Sequence, residues 1–167
     1  VFVLLSSLWA FWTDDFFVSN LANLDQLSKA MPWLLLLFIP AITMSLWSEE
    51  RRQGTDELLL TLPATDFDIV FGKYISAAII FSMSLLFAQV SSYTALTVLS
   101  LGSLDVGLIF TTYIGYWLMG LAMLSLGMVA SFLTSNATVS FVLALIFNSL
   151  LVLVAYVDRA VSSPSLA

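Results

Sequence analysis

Long runs without a charged side chain are the feature that most restricts what this chain can fold into. Residues 30–48, 74–104 and 106–157 contain no Asp, Glu, Lys or Arg and are 19, 31 and 52 residues long. A helix needs about 20 apolar residues to cross the hydrocarbon core of a bilayer. The three runs therefore hold one, one and two membrane-spanning helices, and we predict an all-α polytopic membrane protein.

The composition agrees with a membrane protein and excludes several classes of function. Hydrophobic residues make up 60% of the 167 positions and charged residues only 10%, whereas about a quarter of a soluble domain is charged. The chain has no His and no Cys, which excludes an imidazole base, a thiolate nucleophile and the usual zinc sites. The net charge of −6 argues against nucleic acid as a partner. The chain therefore lacks the side chains for these kinds of catalysis and metal binding.

Prolines, turn residues and charges divide the chain into spans and loops. We predict a partial first span at 1–13 and an outer loop at 14–30 that contains a short interfacial helix. An outer loop at 158–167 follows the last span, and we expect both ends of the chain to be truncated. Pro40 lies in the middle of the second span, where it should bend the helix. The four full spans are predicted at 31–48, 74–100, 107–132 and 138–157.

Alternation of the spans decides which loops share a side of the membrane. Loops 49–73 and 133–137 lie on one side, and the outer loops lie on the other together with residues 101–106. The first side carries three basic residues and the second carries two. Basic residues are more frequent in cytoplasmic loops, so we predict that loop 49–73 is cytoplasmic. The basic residues compared are Arg51, Arg52 and Lys73 on the first side, and Lys29 and Arg159 on the second.

Loop 49–73 concentrates nine of the 16 charges of the chain and several turn signals. Gly54 can adopt the left-handed conformation that ends a helix. Thr55 is a good N-cap for a short amphipathic helix at 56–62, which Pro63 would stop. Thr65 and Asp68 have the spacing of a capping box, which predicts the start of a third helical piece. We expect Lys73 to extend toward the lipid headgroups.

Two interpretations of this loop remain open from the residues alone. The loop could be solvated and lie on the headgroups, as amphipathic segments near membranes commonly do. Alternatively, it could be a docking helix that transmits force from a cytosolic partner. In that case Leu58, Leu59 and Leu62 would be the apolar contacts, and the charges at 49–52 would form a polar latch at the membrane edge.

The stretch from Pro40 to Lys73, PAITMSLWSEERRQGTDELLLTLPATDFDIVFGK, resembles the membrane subunit of ABC-2-type transporters. It is most similar to the gliding-motility and copper-processing permease branch. The flanking helices match that family only in length and hydrophobicity. The positions that match the family pattern are Pro40, Thr43, Met44, Glu49, Glu50, Arg51, Gly54, Thr55, Glu57, Leu58, Leu59, Leu60, Thr61, Leu62, Pro63, Ile69, Val70, Gly72 and Lys73.

The resemblance implies a permease half of six helices, similar to type V exporters, in a bacterial cytoplasmic (inner) membrane. The chain departs from this pattern because a complete first helix, an N-terminal interfacial helix and a sixth helix are missing. A separate cytosolic ABC ATPase would bind ATP and Mg, and a second permease subunit, identical or paralogous, would complete the transporter. The residues implied in coupling to the ATPase are Glu49, Glu50, Arg51, Arg52, Gly54, Thr55, Asp56, Glu57, Leu58, Leu59, Leu62, Pro63, Gly72 and Lys73.

Other functions and other polar residues leave alternatives open. A non-transporting membrane scaffold could recruit a cytosolic protein through the same loop, whereas a secondary carrier is disfavoured because no span contains a charge. Gln89 and Asn148 could line a translocation path, but hydrogen bonds between helices are the more common use of such residues. Gly127, Ser131 and Ser135 form a small-residue face, for which we favour packing within one subunit over a dimer contact.

Overall fold

The computed structural model of the protein describes Leu4 and residues 25–55, 65–98 and 106–161. Within these residues the chain is helical and contains no β-strand, as the charge-free runs predict. The short helix at 56–62 lies outside the described residues, as does the partial span at 1–13 except for Leu4. The helices are α1 (Asp25–Thr43), α2 (Ser48–Gln53), α3 (Asp66–Val98), α4 (Val106–Phe132) and α5 (Ala137–Val161).

Four stretches of the described helices are long and apolar enough to cross a membrane. α1 and α2 together supply the first stretch, and α3, α4 and α5 supply one each. Three helices extend beyond the predicted spans by four residues or more, since α1 begins at Asp25, α3 begins at Asp66 and α5 ends at Val161. A charge marks the edge of the hydrocarbon, but a helix can continue into water because its backbone hydrogen bonds are internal. The stretches are Met31–Gln53, Asp66–Ser91, Gly107–Phe132 and Ala137–Val154.

The core of the bundle forms where α1, α4 and α5 pack against one another, and α3 packs mainly on α4. Apart from Pro40, the buried residues of α1 and α5 recur at every fourth position. Residues four apart lie on one face of a helix, so each helix contributes a narrow seam to the core. The seams are Met31, Leu35, Ile39 and Thr43 on α1, and Ser140, Ala144, Asn148 and Val152 on α5.

Two glycines of α4 allow side chains of neighbouring helices to approach its backbone. A Cβ atom at Gly120 would lie 2.1 Å from Cζ of the buried Phe81 ring on α3. A Cβ atom at Gly127 would lie 2.4 Å from Oγ1 of Thr43 on α1. Small residues at such positions are how membrane helices come close together. Both α1 and α3 therefore pack closely against α4.

The two ends of the bundle have different contacts. At one end, the rings of Trp33 and Tyr156 lie with their centroids 6.2 Å apart, which brings the first half of α1 close to the end of α5. At the other end, α2 contacts the last residue of α4 and forms an ion pair with the start of α3. Residues 48–55, 65–73 and 133–136 therefore lie at one end of the bundle.

Candidate functional site at the charged end of the bundle

The helical hydrogen bonding of the first span is interrupted between α1 and α2, one turn after Pro40. Residues 44–47 form turns, and Leu46 N donates to Thr43 O at 3.1 Å. The hydroxyl of Thr43 donates back to Ile39 O at 3.0 Å, a bond that often accompanies helix bending. The sequence predicts a bend at Pro40, whereas the break in the structure follows Thr43.

The break is filled by a hydroxyl group from another helix. Ser131 Oγ on α4 accepts hydrogen bonds from Trp47 N at 3.0 Å and from Ser48 N at 3.2 Å. The same hydroxyl donates to Met44 O at 3.2 Å. The first amide groups of a helix lack internal partners, so Ser131 acts as the N-terminal cap of α2 although it lies more than 80 residues further along the chain.

Phe132, the last residue of α4, extends this contact. Its ring meets the ring of Trp47 edge-on with centroids 5.5 Å apart. The guanidinium of Arg51 lies 5.0 Å from the centroid of the Phe132 ring, and Arg51 Nη1 donates to Phe132 O at 2.5 Å. A cation over an aromatic ring and a bond to the last carbonyl of a helix are both favourable. α2 is thus joined to the end of α4 by backbone and side-chain contacts.

Lys73 of α3 connects the same region to the third span. Its ammonium donates to Leu46 O at 2.7 Å and forms an ion pair with Glu50 at 2.5 Å. It also lies 4.7 Å from the centroid of the Trp47 ring. Only 18% of the Lys73 side chain is exposed, so the ammonium is held by the protein instead of extending toward the headgroups as the sequence analysis expected.

The helix ends on either side of residues 56–64 are capped as the sequence predicts. Gly54 has a φ of 68° in the left-handed region. Gly54 N and Thr55 N donate back to Arg51 O and Glu50 O, which is the Schellman arrangement. At the other end, Asp68 N donates to Thr65 Oγ1 at 3.2 Å, and Thr65 N donates to the Asp68 carboxylate at 3.3 Å. Both the glycine cap and the capping box are confirmed.

The described coupling candidates of the loop fall into two groups. Glu50, Arg51 and Lys73 make the contacts above, whereas Arg52 pairs with Glu49 on the exposed side of α2 at 2.7 Å. Gly72 is exposed and precedes Lys73. The remaining predicted coupling residues, Asp56, Glu57, Leu58, Leu59, Leu62 and Pro63, lie outside the described residues.

The four polar or small residues singled out in the spans are placed in three different environments. Gly127 and Ser131 join the charged end through Thr43 and the α1–α2 break, and these contacts are within one chain. Gln89 lines a groove of about 290 Å³ between α3 and α4. Asn148 is fully buried in the α5 seam, where its amide has no hydrogen-bond partner among the described residues.

Sequence reasoning missed Trp47 and Phe132 as parts of this site. Both residues look like ordinary aromatic residues near the end of a span, where a belt of Trp and Tyr is expected. The sequence shows that both residues lie at span ends. It does not show that they contact each other, because they are 85 positions apart. The spacing of Gly127 and Ser131 signalled close packing but did not reveal which helix would be the partner.

The fold and the site define a class of protein. The chain is a multi-pass helical membrane protein, its described residues include four stretches able to span a membrane, and α2, α3 and α4 meet at a charged end. The sequence model of the family described as ABC-2 family transporter protein matches residues 15–163.

This match covers most of the chain, and the protein belongs to the ABC-2 transporter family. Proteins of this family have a permease role in transport, are typically non-catalytic membrane subunits and generally work with an ABC ATPase. No curated protein and no solved structure matches the chain.

Proposed function

We propose that the chain is the membrane-spanning permease subunit of an ATP-driven ABC-2-type transporter, in which loop 49–73 couples a separate cytosolic ATPase to translocation. The contact that supports this function best is the bridge made by Lys73. It joins the start of α3 to Glu50 of α2 and to Leu46 O at the helix break. Both helices that flank residues 56–64 are thereby joined at the membrane edge.

This arrangement suits the transmission of a movement into the membrane. A displacement of residues 56–64 acts on α2 through Gly54 and on α3 through Thr65, and Lys73 keeps the two helices together. Ser131 and Phe132 pass the movement of α2 to α4. Coupling between distant sites requires such packed and hydrogen-bonded elements. The apolar contacts to the ATPase would be Leu58, Leu59 and Leu62.

The wider assembly follows from the same proposal. ATP and Mg would be bound by the ATPase, and the permease chain would carry no cofactor or catalytic residue. A second permease subunit, identical or paralogous, would complete the translocation path. The chain would lie in a bacterial cytoplasmic membrane with loop 49–73 in the cytoplasm, and it would belong to the gliding-motility and copper-processing branch.

The experiment is co-purification of the full chain from native membranes in mild detergent, followed by identification of the proteins that remain bound. We expect a P-loop ATPase, and we expect Leu58→Asp to release it and to abolish transport-linked ATP hydrolysis. Gln53→Asp is the matched control because it adds the same charge at an exposed position of α2. A non-transporting scaffold would retain no ATPase, and Leu58→Asp would then change no hydrolysis rate.

A further inference from the structure

α3 is too long for the membrane it crosses. Its 33 residues span about 50 Å at 1.5 Å per residue, against about 30 Å for the hydrocarbon core. The charged residues of α3, Asp66, Asp68 and Lys73, all lie in its first eight positions, whereas residues 74–98 carry no charge and extend over about 37 Å, enough to cross the hydrocarbon core. The eight residues before Tyr74 therefore project by about 12 Å at the charged end of the bundle.

The projecting part of α3 carries an exposed aromatic surface. Phe67, Val70 and Phe71 lie on one face because they are three and four residues apart, and we call this surface the Phe67 patch. The rings of Phe67 and Phe71 are stacked with centroids 5.4 Å apart. Phe67 is 71% exposed and Phe71 is 48% exposed. Phe67 lies about 9 Å along the axis beyond Lys73, which marks the membrane edge.

The charges around the Phe67 patch disfavour lipid as its cover. Asp66 and Asp68 are exposed beside it, and residues 49–73 contain six acidic and three basic residues, a net charge of −3. The basic residues already have intramolecular partners: Lys73 contacts Glu50, Arg52 contacts Glu49, and Arg51 contacts Phe132. Anionic headgroups attract basic segments and repel acidic ones. A protein with an apolar pocket and a basic rim complements both the rings and the acids.

We propose that the Phe67 patch is a second contact surface for the cytosolic ATPase, distinct from the predicted helix at 56–62. This inference rests on the proposed function, because the ATPase is the partner that the function supplies. The capping box of Thr65 and Asp68 fixes the first turn of α3, so the rings are presented on an ordered helix. The partner surface is an apolar pocket edged by Lys or Arg.

Binding of the co-purified ATPase to the permease in nanodiscs tests the proposal. We expect Phe67→Ser/Phe71→Ser to raise Kd by about tenfold or more, as loss of aromatic anchors does at other interfaces. Asp66→Lys should also raise Kd, and the wild-type Kd should rise with salt because opposite charges meet. Phe87→Ser is the control, since Phe87 is 63% exposed on the same helix but lies in its uncharged part.

A spin label shows whether the Phe67 patch is covered by the ATPase or by the membrane. The chain contains no Cys, so Phe67→Cys can be labelled alone. We expect the label to be accessible to a water-soluble nickel complex and to lose that access when the ATPase is added. A label that is accessible mainly to dissolved oxygen would place residue 67 in the bilayer and overturn the proposal.

The outcomes distinguish the patch from the proposed function. If Leu58→Asp prevents ATPase binding and the double Phe variant leaves Kd unchanged, the proposed function stands and the second surface is refuted. If no ATPase binds the wild-type chain, both are refuted. Each variant is compared at equal thermal stability and as a single species in size-exclusion chromatography, so that misfolding is not mistaken for lost contact.

Discussion

The hydroxyl of Ser131 caps the N-terminus of α2, a role that a neighbouring residue has in most helices. It satisfies two amide groups, of Trp47 and Ser48, that the break between α1 and α2 leaves without helical partners. Both residues are buried, and an unpaired polar group is especially costly where water is scarce. One small side chain on α4 thus allows the first span to change its hydrogen bonding near the membrane edge.

Removal of this hydroxyl should destabilise the protein measurably. We expect Ser131→Ala to cost about 1–3 kcal/mol, because two buried donors lose their acceptor. The control is Ser125→Ala on the same helix, where the exposed hydroxyl donates only to Ala122 O. Denaturation of the purified protein in mixed micelles measures both changes. Equal effects of the two substitutions would contradict the capping role of Ser131.

Gly127 offers a test of the close approach between α4 and α1. A Cβ at this position would meet Thr43, which is fully buried and whose hydroxyl is held by Ile39 O. We expect Gly127→Ala to destabilise by about 1–3 kcal/mol through overpacking. At Gly115, a Cβ would meet nothing within 4 Å, so Gly115→Ala should be neutral or slightly stabilising. Thermal unfolding in detergent measures both changes. Equal effects of Gly127→Ala and Gly115→Ala would contradict the close approach at Gly127.

At the scale of the elements, the Glu50–Lys73 pair joins α2 to α3. The two side chains are 30% and 18% exposed, and the ammonium has further contacts with Leu46 O and the Trp47 ring. The Glu49–Arg52 pair on the same short helix is more exposed and stays within α2. We therefore expect the Glu50–Lys73 pair to hold α2 against α3. We expect the Glu49–Arg52 pair to have no effect on how these helices pack.

A double-mutant cycle with Glu50→Gln and Lys73→Met measures the strength of this connection. We expect a coupling free energy of about 0.5–3 kcal/mol, the range found for contacting residues in one network. The same cycle with Glu49→Gln and Arg52→Met should give about 0.5 kcal/mol or less, as exposed pairs do. A coupling for Glu50 and Lys73 no larger than that of the exposed pair would refute the connecting role.

The helices, caps and membrane-spanning stretches were predictable because their signals are local. Gly54 ends α2 and Thr65 begins α3 where the residues indicate, since both signals act within a few positions. The break after Thr43 was not predictable in detail, because its stabilising partner comes from α4. The continuity of α3 was missed, since the helical piece that begins after Thr65 was predicted as separate from the span at 74–100, whereas one helix continues through both.

At the scale of the whole molecule, the described helices divide into a buried core and an exposed periphery. α1, α4 and α5 share the buried seams, whereas α3 leaves many large apolar side chains exposed along the spanning region. Lipid tails or further helices can cover such a surface without cost, because both are apolar. The sequence predicted the spans, but only the structure shows which of them form the buried core and which lies at the periphery.

Orientation in the membrane is the prediction that belongs to this scale. A cysteine introduced at Gln53 should react with an impermeant maleimide only from the cytoplasmic face, because the three basic residues of loop 49–73 favour that side. A cysteine at Ser103, in the predicted outer loop at 101–106, should react only from the opposite face. The absence of native Cys makes each label specific. The reverse pattern would invert the topology and exclude the proposed contact with a cytosolic ATPase.

The cap that Ser131 provides has a consequence for how the protein is made. The ribosome synthesises Trp47 and Ser48 before Ser131, with 84 and 83 residues between the partners. At about 5–20 residues per second, roughly 4 to 17 seconds pass before the serine exists. During that interval the amide groups of Trp47 and Ser48 cannot bond to Ser131. The hydrogen bonding of the first span is therefore completed only after this part of α4 has been synthesised.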